Sequence, residues 1–170
     1  MKDSDSTKVD RRKKLVEAIR KVEIFSDIDN EQAQYLLSLC SKVTVGQNDF
    51  LCRKGDETER MFILIKGEMI VKLNNSTVIS TIRPVNPIGE IGVFTGESRT
   101  ADVVATEESL LITIKKSDID SIIENAPELG IKIMRRVIKT LSGRLIEDNR
   151  RIREFQNYIM NQETGNAKIQ

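Results

Sequence analysis

Glu90 and Arg99 sit in a segment unlike the rest of the chain: Pro87-Ile88-Gly89-Glu90-Ile91-Gly92-Val93-Phe94-Thr95-Gly96-Glu97-Ser98-Arg99-Thr100-Ala101-Asp102-Val103. Gly89 and Gly92 flank the carboxylate and let the backbone approach a ligand closely or turn into a short helix. N–H groups exposed at such a turn cradle an anion. Arg99 adds a planar fork of donors that matches phosphate geometry. Glu90 is an acceptor suited to a sugar hydroxyl. Together these groups suit a small molecule that carries both a sugar hydroxyl and a phosphate. A plainer reading fits the same residues: Glu90 and Arg99 form a salt bridge that brace a β loop, and the glycines serve its turns.

Other chemistry has little to work with. The chain contains no histidine, which removes the commonest general base and the commonest transition-metal ligand. Ser-His-Asp triads, Cys-His pairs, His-ligated haem and zinc hydrolase centres are excluded. Its two cysteines, Cys40 and Cys52, are too few to build a zinc or iron–sulfur site. They read as reduced, apolar core residues of a cytoplasmic protein. No enzyme activity, metal or cofactor is expected. The 27 basic and 26 acidic residues leave a net charge of +1, so no global field draws in nucleic acid or a membrane surface. The polar start, Met1-Lys2-Asp3-Ser4-Asp5-Ser6, lacks the apolar run of a signal peptide. The longest unbroken apolar run, at 61–65, is far short of the ~18 residues that span a bilayer.

Two α regions and a β region must hold the segment in place. A polar, basic arm at 1–14 includes Arg11-Arg12-Lys13-Lys14. Helices are expected over 15–41: Leu15, Ala18, Ile19 and Val22 recur at helical spacing, Phe25 plugs a turn, and Asp29 with Gln32 makes a capping box before Ala33, Leu36, Leu37 and Cys40. From 42 to 116 the pattern turns to period two. Strands are predicted at 42–45, 50–53, 61–66, 68–73, 78–82, 101–105 and 110–115, with turns at Gly46-Gln47-Asn48-Asp49, Gly55-Asp56, Gly67 and Asn74-Asn75. Such a run of short strands suggests an antiparallel sandwich or barrel. Over 117–162 the pattern is helical again. Ser117 and Asp120 are the expected N-cap pair of a helix with Ile119, Ile122 and Ile123 on its apolar face. Pro127 suits the first position of the next helix. There Ile131, Met134, Ile138, Leu141, Leu145, Asp148, Ile152, Phe155 and Ile159 form a heptad seam. A helix over 128–161 would be about 50 Å long, longer than a barrel of this size is wide. The seam therefore serves either core packing or a partner, and residues 163–170 are a polar tail.

Gly89-Glu90-Ile91-Gly92 followed by Arg99-Thr100-Ala101 resembles the phosphate-binding cassette of the cyclic-nucleotide-binding domain family. Leu51-Cys52-Arg53-Lys54-Gly55-Asp56 and Met61-Phe62-Ile63-Leu64-Ile65-Lys66-Gly67-Glu68 resemble its early strands, and Ile24-Phe25-Ser26-Asp27-Ile28 its opening helical turn. Arg144-Leu145 and Asn149 resemble the end helix of many bacterial members. The resemblance implies a mostly β fold with flanking α: an eight-stranded antiparallel jelly-roll barrel with N-terminal helices and a long C-terminal helix. It implies a non-enzymatic sensor of cAMP or cGMP that rearranges its terminal helices. Glu90 would then accept from the ribose 2′-hydroxyl and Arg99 would pair with the exocyclic phosphate oxygens. The amides of Ile91, Gly92, Thr100 and Ala101 would complete the cradle, with Gly89 at its turn. Ser98 and Gly92 depart from the Pro and Ala frequent at those family positions. A strand through Thr100 and Asp102 would also set the Asp102 charge beside the phosphate. By position alone Arg144, Asp148 and Asn149 are candidates to meet the ligand from the long helix. The expected partners are the nucleotide and, through that helix, a protein effector or a second copy. DNA is not expected, because only the polar tail follows the seam. A ligand-independent jelly-roll interaction module is the alternative.

Overall fold

The computed structural model describes residues 3–73 and 77–166; the turn expected at Asn74-Asn75 and the last residues of the polar tail, 167–170, lie outside them. Eight strands appear among the described residues: β1 (Ser41–Val45), β2 (Phe50–Cys52), β3 (Arg60–Lys66), β4 (Met69–Leu73), β5 (Thr77–Ile82), β6 (Pro87–Ile88), β7 (Asp102–Ala105) and β8 (Ser109–Lys115). They form two antiparallel four-stranded sheets, ordered β1-β8-β3-β6 and β2-β7-β4-β5. Seven of these strands follow the sequence pattern. The eighth, β6, is two residues long, too short for an alternation to show.

The central strands of the first sheet explain the unbroken apolar runs. In β3, Phe62 and Leu64 turn into a core shared with Val45, Cys52, Met69, Val103 and Ala105, which lies between the sheets. Their neighbours Met61 and Ile63 turn the other way, into a second core built with the helices. In β8, Leu111 faces the first core while Ile112 and Ile114 face the second. Register pairs Ile63 with Ile112 and Leu64 with Leu111. A strand buried on both faces has no reason to alternate with polar residues. Burying each such side chain contributes roughly 1.5–3 kcal/mol, so these two strands carry much of the fold. Of the two buried polar residues in β8, Thr113 donates its hydroxyl to the Met61 carbonyl at 2.9 Å and Ser109 donates to the Glu107 carbonyl at 2.9 Å.

The helices cover the outer face of that sheet. They are α1 (Asp3–Lys21), a 3₁₀ turn at Glu23–Phe25, α2 (Asn30–Leu39), α3 (Glu90–Thr95), α4 (Lys116–Asn125) and α5 (Pro127–Asn166). Val16, Ile19, Val22 and Phe25 are buried against it, and the Asp29–Gln32 capping box is formed in both directions. Helix α1 starts at Asp3, inside the arm expected to precede it. No Gly or Pro interrupts that stretch, so the polar arm continues the helix backward. Helix α4 begins without the expected Ser117 cap: Lys115 is extended, and no side chain caps the helix. Because β8 runs straight into α4, the Lys116 N–H finds the Glu59 carbonyl at 2.7 Å, and Lys116 Nζ pairs with Asp120 at 2.9 Å.

Helix α5 carries two stripes. Leu129, Ile133, Val137 and Thr140 are buried against the domain. The heptad seam is turned elsewhere: Ile131, Met134, Ile138, Leu145, Ile152, Phe155 and Ile159 are all exposed, and of the seam only Leu141 packs on the core. Core packing is therefore not what the seam does. Polar ties fix the proximal half of α5. Arg136 Nε donates to Asp27 Oδ2 at 2.5 Å, and Lys132 Nζ donates to Gln32 Oε1 at 2.9 Å. The Arg136 hydrogen bonds hold the Asp27 carboxyl below its ordinary 3.8. Past Thr140 no described α5 side chain is buried.

Both cysteines are free thiols. Burial, helped by the Asp118 charge, pushes the Cys40 thiol up to about 12 from 9.0. A group whose folded value lies above its unfolded one stabilises fully below the unfolded value, so this contribution is intact below pH 9 and declines as pH rises toward 12. Asp27 has the opposite sign: its contribution is present above pH 3.8 and declines below it as the carboxyl protonates. At pH 8 a chromogenic disulfide reagent should modify the native thiols slowly and both of them promptly once urea unfolds the chain. Prompt modification of the native protein would contradict this account of their burial.

Candidate functional site

The segment between β6 and β7 is shaped by where side chains are absent. The chain leaves β6 at Ile88 and reverses through Gly89, whose φ of 79° lies in the left-handed region that favours glycine. Helix α3 then runs for six residues to Gly96, where φ is again 79°. A Cβ on Gly89 would sit 1.5 Å from Arg99 Nη1, so the guanidinium lies directly on the Gly89 backbone. A Cβ on Gly92 would fall 2.4 Å from Thr58 Oγ1 and 2.5 Å from the Glu97 carbonyl. That glycine lets α3 pack on the loop before β3.

Arg99 is buried and held from several sides. Its N–H donates to the Asp56 carbonyl at 2.8 Å, and its own carbonyl accepts from Gly55 N at 2.8 Å. Nη2 donates to the Arg60 carbonyl at 2.5 Å, and Cζ lies 5.6 Å from the centre of the Phe62 ring. The other terminal nitrogen, Nη1, is buried and has no hydrogen-bond partner. Glu90 is also buried. Its Oε1 accepts from Arg144 Nη1 at 2.6 Å, so the ion pair at this loop is Glu90 with Arg144 on α5, and the Glu90–Arg99 brace allowed by the sequence is not formed. The unpartnered nitrogen thus lies against the Gly89 backbone, at the glycine-bounded turn of the segment.

All seven residues singled out in the sequence, Gly89, Glu90, Ile91, Gly92, Arg99, Thr100 and Ala101, line one cavity of about 400 Å³. That volume accommodates a nucleotide-sized ligand. Asp102 does not line it. Strand β7 begins at Asp102, so Thr100 lies before the strand and the two do not share a face. The Asp102 carboxylate instead accepts from Lys54 N at 2.7 Å, tying the β2–β3 loop to β7. The facing wall, from Val71, Ser80, Thr81 and Ile82 on β4 and β5, was not legible as part of a site. Those residues look like ordinary strand, and only sheet pairing brings them across from the cassette. Cys52 also lines the cavity; burial pushes its thiol up, against the pull of the Arg99 charge. Of the three residues suggested on the long helix, Arg144 lines the cavity, whereas Asp148 and Asn149 are exposed and do not. A sequence signal for Arg144 did exist: Leu129, Ile133, Val137, Thr140 and Arg144 continue one helical stripe at spacings of four and three, and that stripe faces the domain. Among the described residues no cluster of three or more His, Cys, Asp or Glu could hold a metal ion, and no helix is long and apolar enough to cross a membrane.

Known proteins share this architecture. Residues 42–126, half of the chain, match the family model described as the cyclic nucleotide-binding domain. The cyclic nucleotide-gated channel beta-1 of Bos taurus is 25% identical over 156 residues, which is 89% of this chain and 11% of the channel. A cyclic nucleotide-binding domain from Methylobacillus flagellatus superposes with a TM-score of 0.72 at 24% identity, over 84% of this chain and 83% of that one. The regulatory domain of Toxoplasma gondii PKA, crystallised with cAMP, superposes at 0.63 with 20% identity, over 69% of this chain and 46% of that one. The chain thus spans about a tenth of the channel's length and a fifth of the mycobacterial NTE family proteins it also matches, 11% and 21% respectively. The matched stretch runs from the first strand through α4 and includes the whole cavity-forming segment, so the likeness rests on a fold with its loop in place: this chain belongs to the cyclic nucleotide-binding domain family.

Proposed function

We propose that the chain is a non-enzymatic sensor that binds a cyclic nucleotide, cAMP or cGMP, in the cavity lined by Glu90 and Arg99 and signals through its terminal helices. One observation carries this reading: Arg99 Nη1 is buried at the cavity without a partner. An arginine stays charged, and a buried charged donor left unpaired is costly. The exocyclic oxygens of a cyclic phosphate supply the missing acceptor. Glu90 then accepts from the ribose 2′-hydroxyl, and the amides of Ile91, Gly92, Thr100 and Ala101 complete the cradle. The Thr100 hydroxyl is compatible with either base. The strand orders β1-β8-β3-β6 and β2-β7-β4-β5 are read here as a jelly roll. Two free thiols suit the reducing cytoplasm.

The outward stripe of α5 supports a second copy of this chain as its protein partner. Exposed apolar residues repeat at heptad spacing from Ile131 to Ile159, the pattern with which two helices pack as a coiled coil. Helix α5 has 40 residues, about 60 Å at ~1.5 Å per residue, and past Thr140 none of its described side chains is buried. Asp148 interrupts the seam, and the Arg150–Glu147 and Arg150–Glu154 pairs flank it.

Calorimetry with cAMP and with cGMP should show saturable binding to the wild type. Arg99→Ala should weaken it roughly ten- to hundredfold, since a hydrogen bond to a charged group contributes about 1.5–3 kcal/mol. Gly89→Ala should do the same by pushing Arg99 out of place. Circular dichroism of both variants checks that the fold survives, and equal affinity in wild type and Arg99→Ala would refute the site. A chain whose melting temperature responds to no cyclic nucleotide would be the ligand-independent interaction module instead. In light scattering the wild type should show a mass near twice its 19.3 kDa, and Leu145→Glu with Ile152→Glu should return it to one. A monomeric wild type would remove the second copy from the reading.

A further inference from the structure

Arg144 is the member of α5 that lines the cavity, and it holds the carboxylate assigned above to the ribose. Its Nη1 lies 2.6 Å from Glu90 Oε1, and the Glu90 side chain is 7% exposed against 49% for Arg144. That asymmetry decides which partner gives way. Glu90 is enclosed at the start of α3, and Arg144 occupies its Oε1. The Arg144 side chain is half in solvent and loses little on leaving, because a partly exposed ion pair is a weak one.

We propose that Arg144 is a latch that a ribose 2′-hydroxyl must displace: the guanidinium and the hydroxyl are mutually exclusive partners of Glu90. The proposal rests on the cyclic-nucleotide reading of the site. The consequence is mechanical. Among the described residues Thr140 is the last of α5 with a buried side chain, and Arg144 stands one turn beyond it, joining the helix to the cassette. A nucleotide that takes Glu90 therefore unpins α5 at the point where its buried stripe ends. Ligand and helix position are coupled because they compete for one carboxylate, which is the differential contact that a ligand-driven shift requires. Charge points the same way. Arg99 and Arg144 line the cavity together with the carboxylates of Glu90 and Glu97, and a bound phosphate anion takes Arg99 as its partner, leaving Arg144 the cation that a ligand can displace.

The test is calorimetry on the full chain with cAMP, cGMP and their 2′-deoxy analogues. Wild type, Arg144→Ala and Arg144→Gln are compared. Removal of the competitor should tighten binding of the ribonucleotide roughly three- to tenfold, the scale of a partly exposed ion pair. It should leave the 2′-deoxy analogue, which offers Glu90 nothing, no tighter than in wild type. Weaker or unchanged ribonucleotide binding in both variants would overturn the latch and make Arg144 a ligand contact or a bystander. Equal tightening for ribo and deoxy forms would also overturn it, since the gain would not pass through the 2′-hydroxyl. These outcomes leave the site itself standing, whereas a wild type that binds none of the four ligands overturns the site reading and the latch with it.

Discussion

Strands β3 and β8 are packed from both sides, and nearly everything else is referred to them. Their alternate residues enter two cores, one shared with the second sheet and one shared with the helices. The sheet is therefore a partition, and neither layer can shift without disturbing the other. The ligand-facing parts hang from the same partition. The Arg60 carbonyl and the Phe62 ring, both on β3, position the Arg99 guanidinium, and β6, which delivers Gly89, pairs with β3 through Phe62 and Ile63. A cation is thereby held in the wall with its Nη1 unpartnered. Close packing keeps it there, because the guanidinium has little room to swing toward water.

The helices divide the remaining work by polarity. The proximal half of α5 is fastened twice, by apolar burial of Leu129, Ile133 and Val137 and by polar ties from Lys132 and Arg136 to the N-terminal helices. Past Thr140 none of the described side chains of the helix is buried. At the junction between the halves sits Arg144, joined to the cassette through Glu90. The cassette and the long helix are thus joined by an ion pair placed where the helix changes from buried to exposed.

Local rules carried far in this chain wherever the signal was short-range. The capping box at Asp29 and Gln32, Pro127 at the first turn of α5, and the glycine-bounded cassette are all made by residues within a few positions of one another. They failed where a distant group took over a local job. Ser117 does not cap α4, because the Glu59 carbonyl across the sheet already accepts the first N–H. Asp102 does not line the cavity, because β7 starts at Asp102 itself and the carboxylate finds Lys54 N, 48 residues away in sequence. The heptad seam was visible as a periodicity, yet period alone does not say which of two apolar stripes a domain will choose.

What the sequence determined by itself was the chemistry on offer: no histidine, one short loop with a carboxylate, a guanidinium and glycines, and enough alternating strands for two sheets. Those are properties of residue type and near spacing, and folding does not change them. The tertiary structure decided who meets whom. It paired Glu90 with Arg144 across 54 residues in place of Arg99 nine residues away, brought β4 and β5 opposite the cassette, left Arg99 Nη1 without a partner, and turned the seam of α5 outward. The physical reason is that partner choice for a buried polar group is set by which surfaces close over it. That closure depends on packing between elements far apart in the chain, which spacing along the chain does not encode.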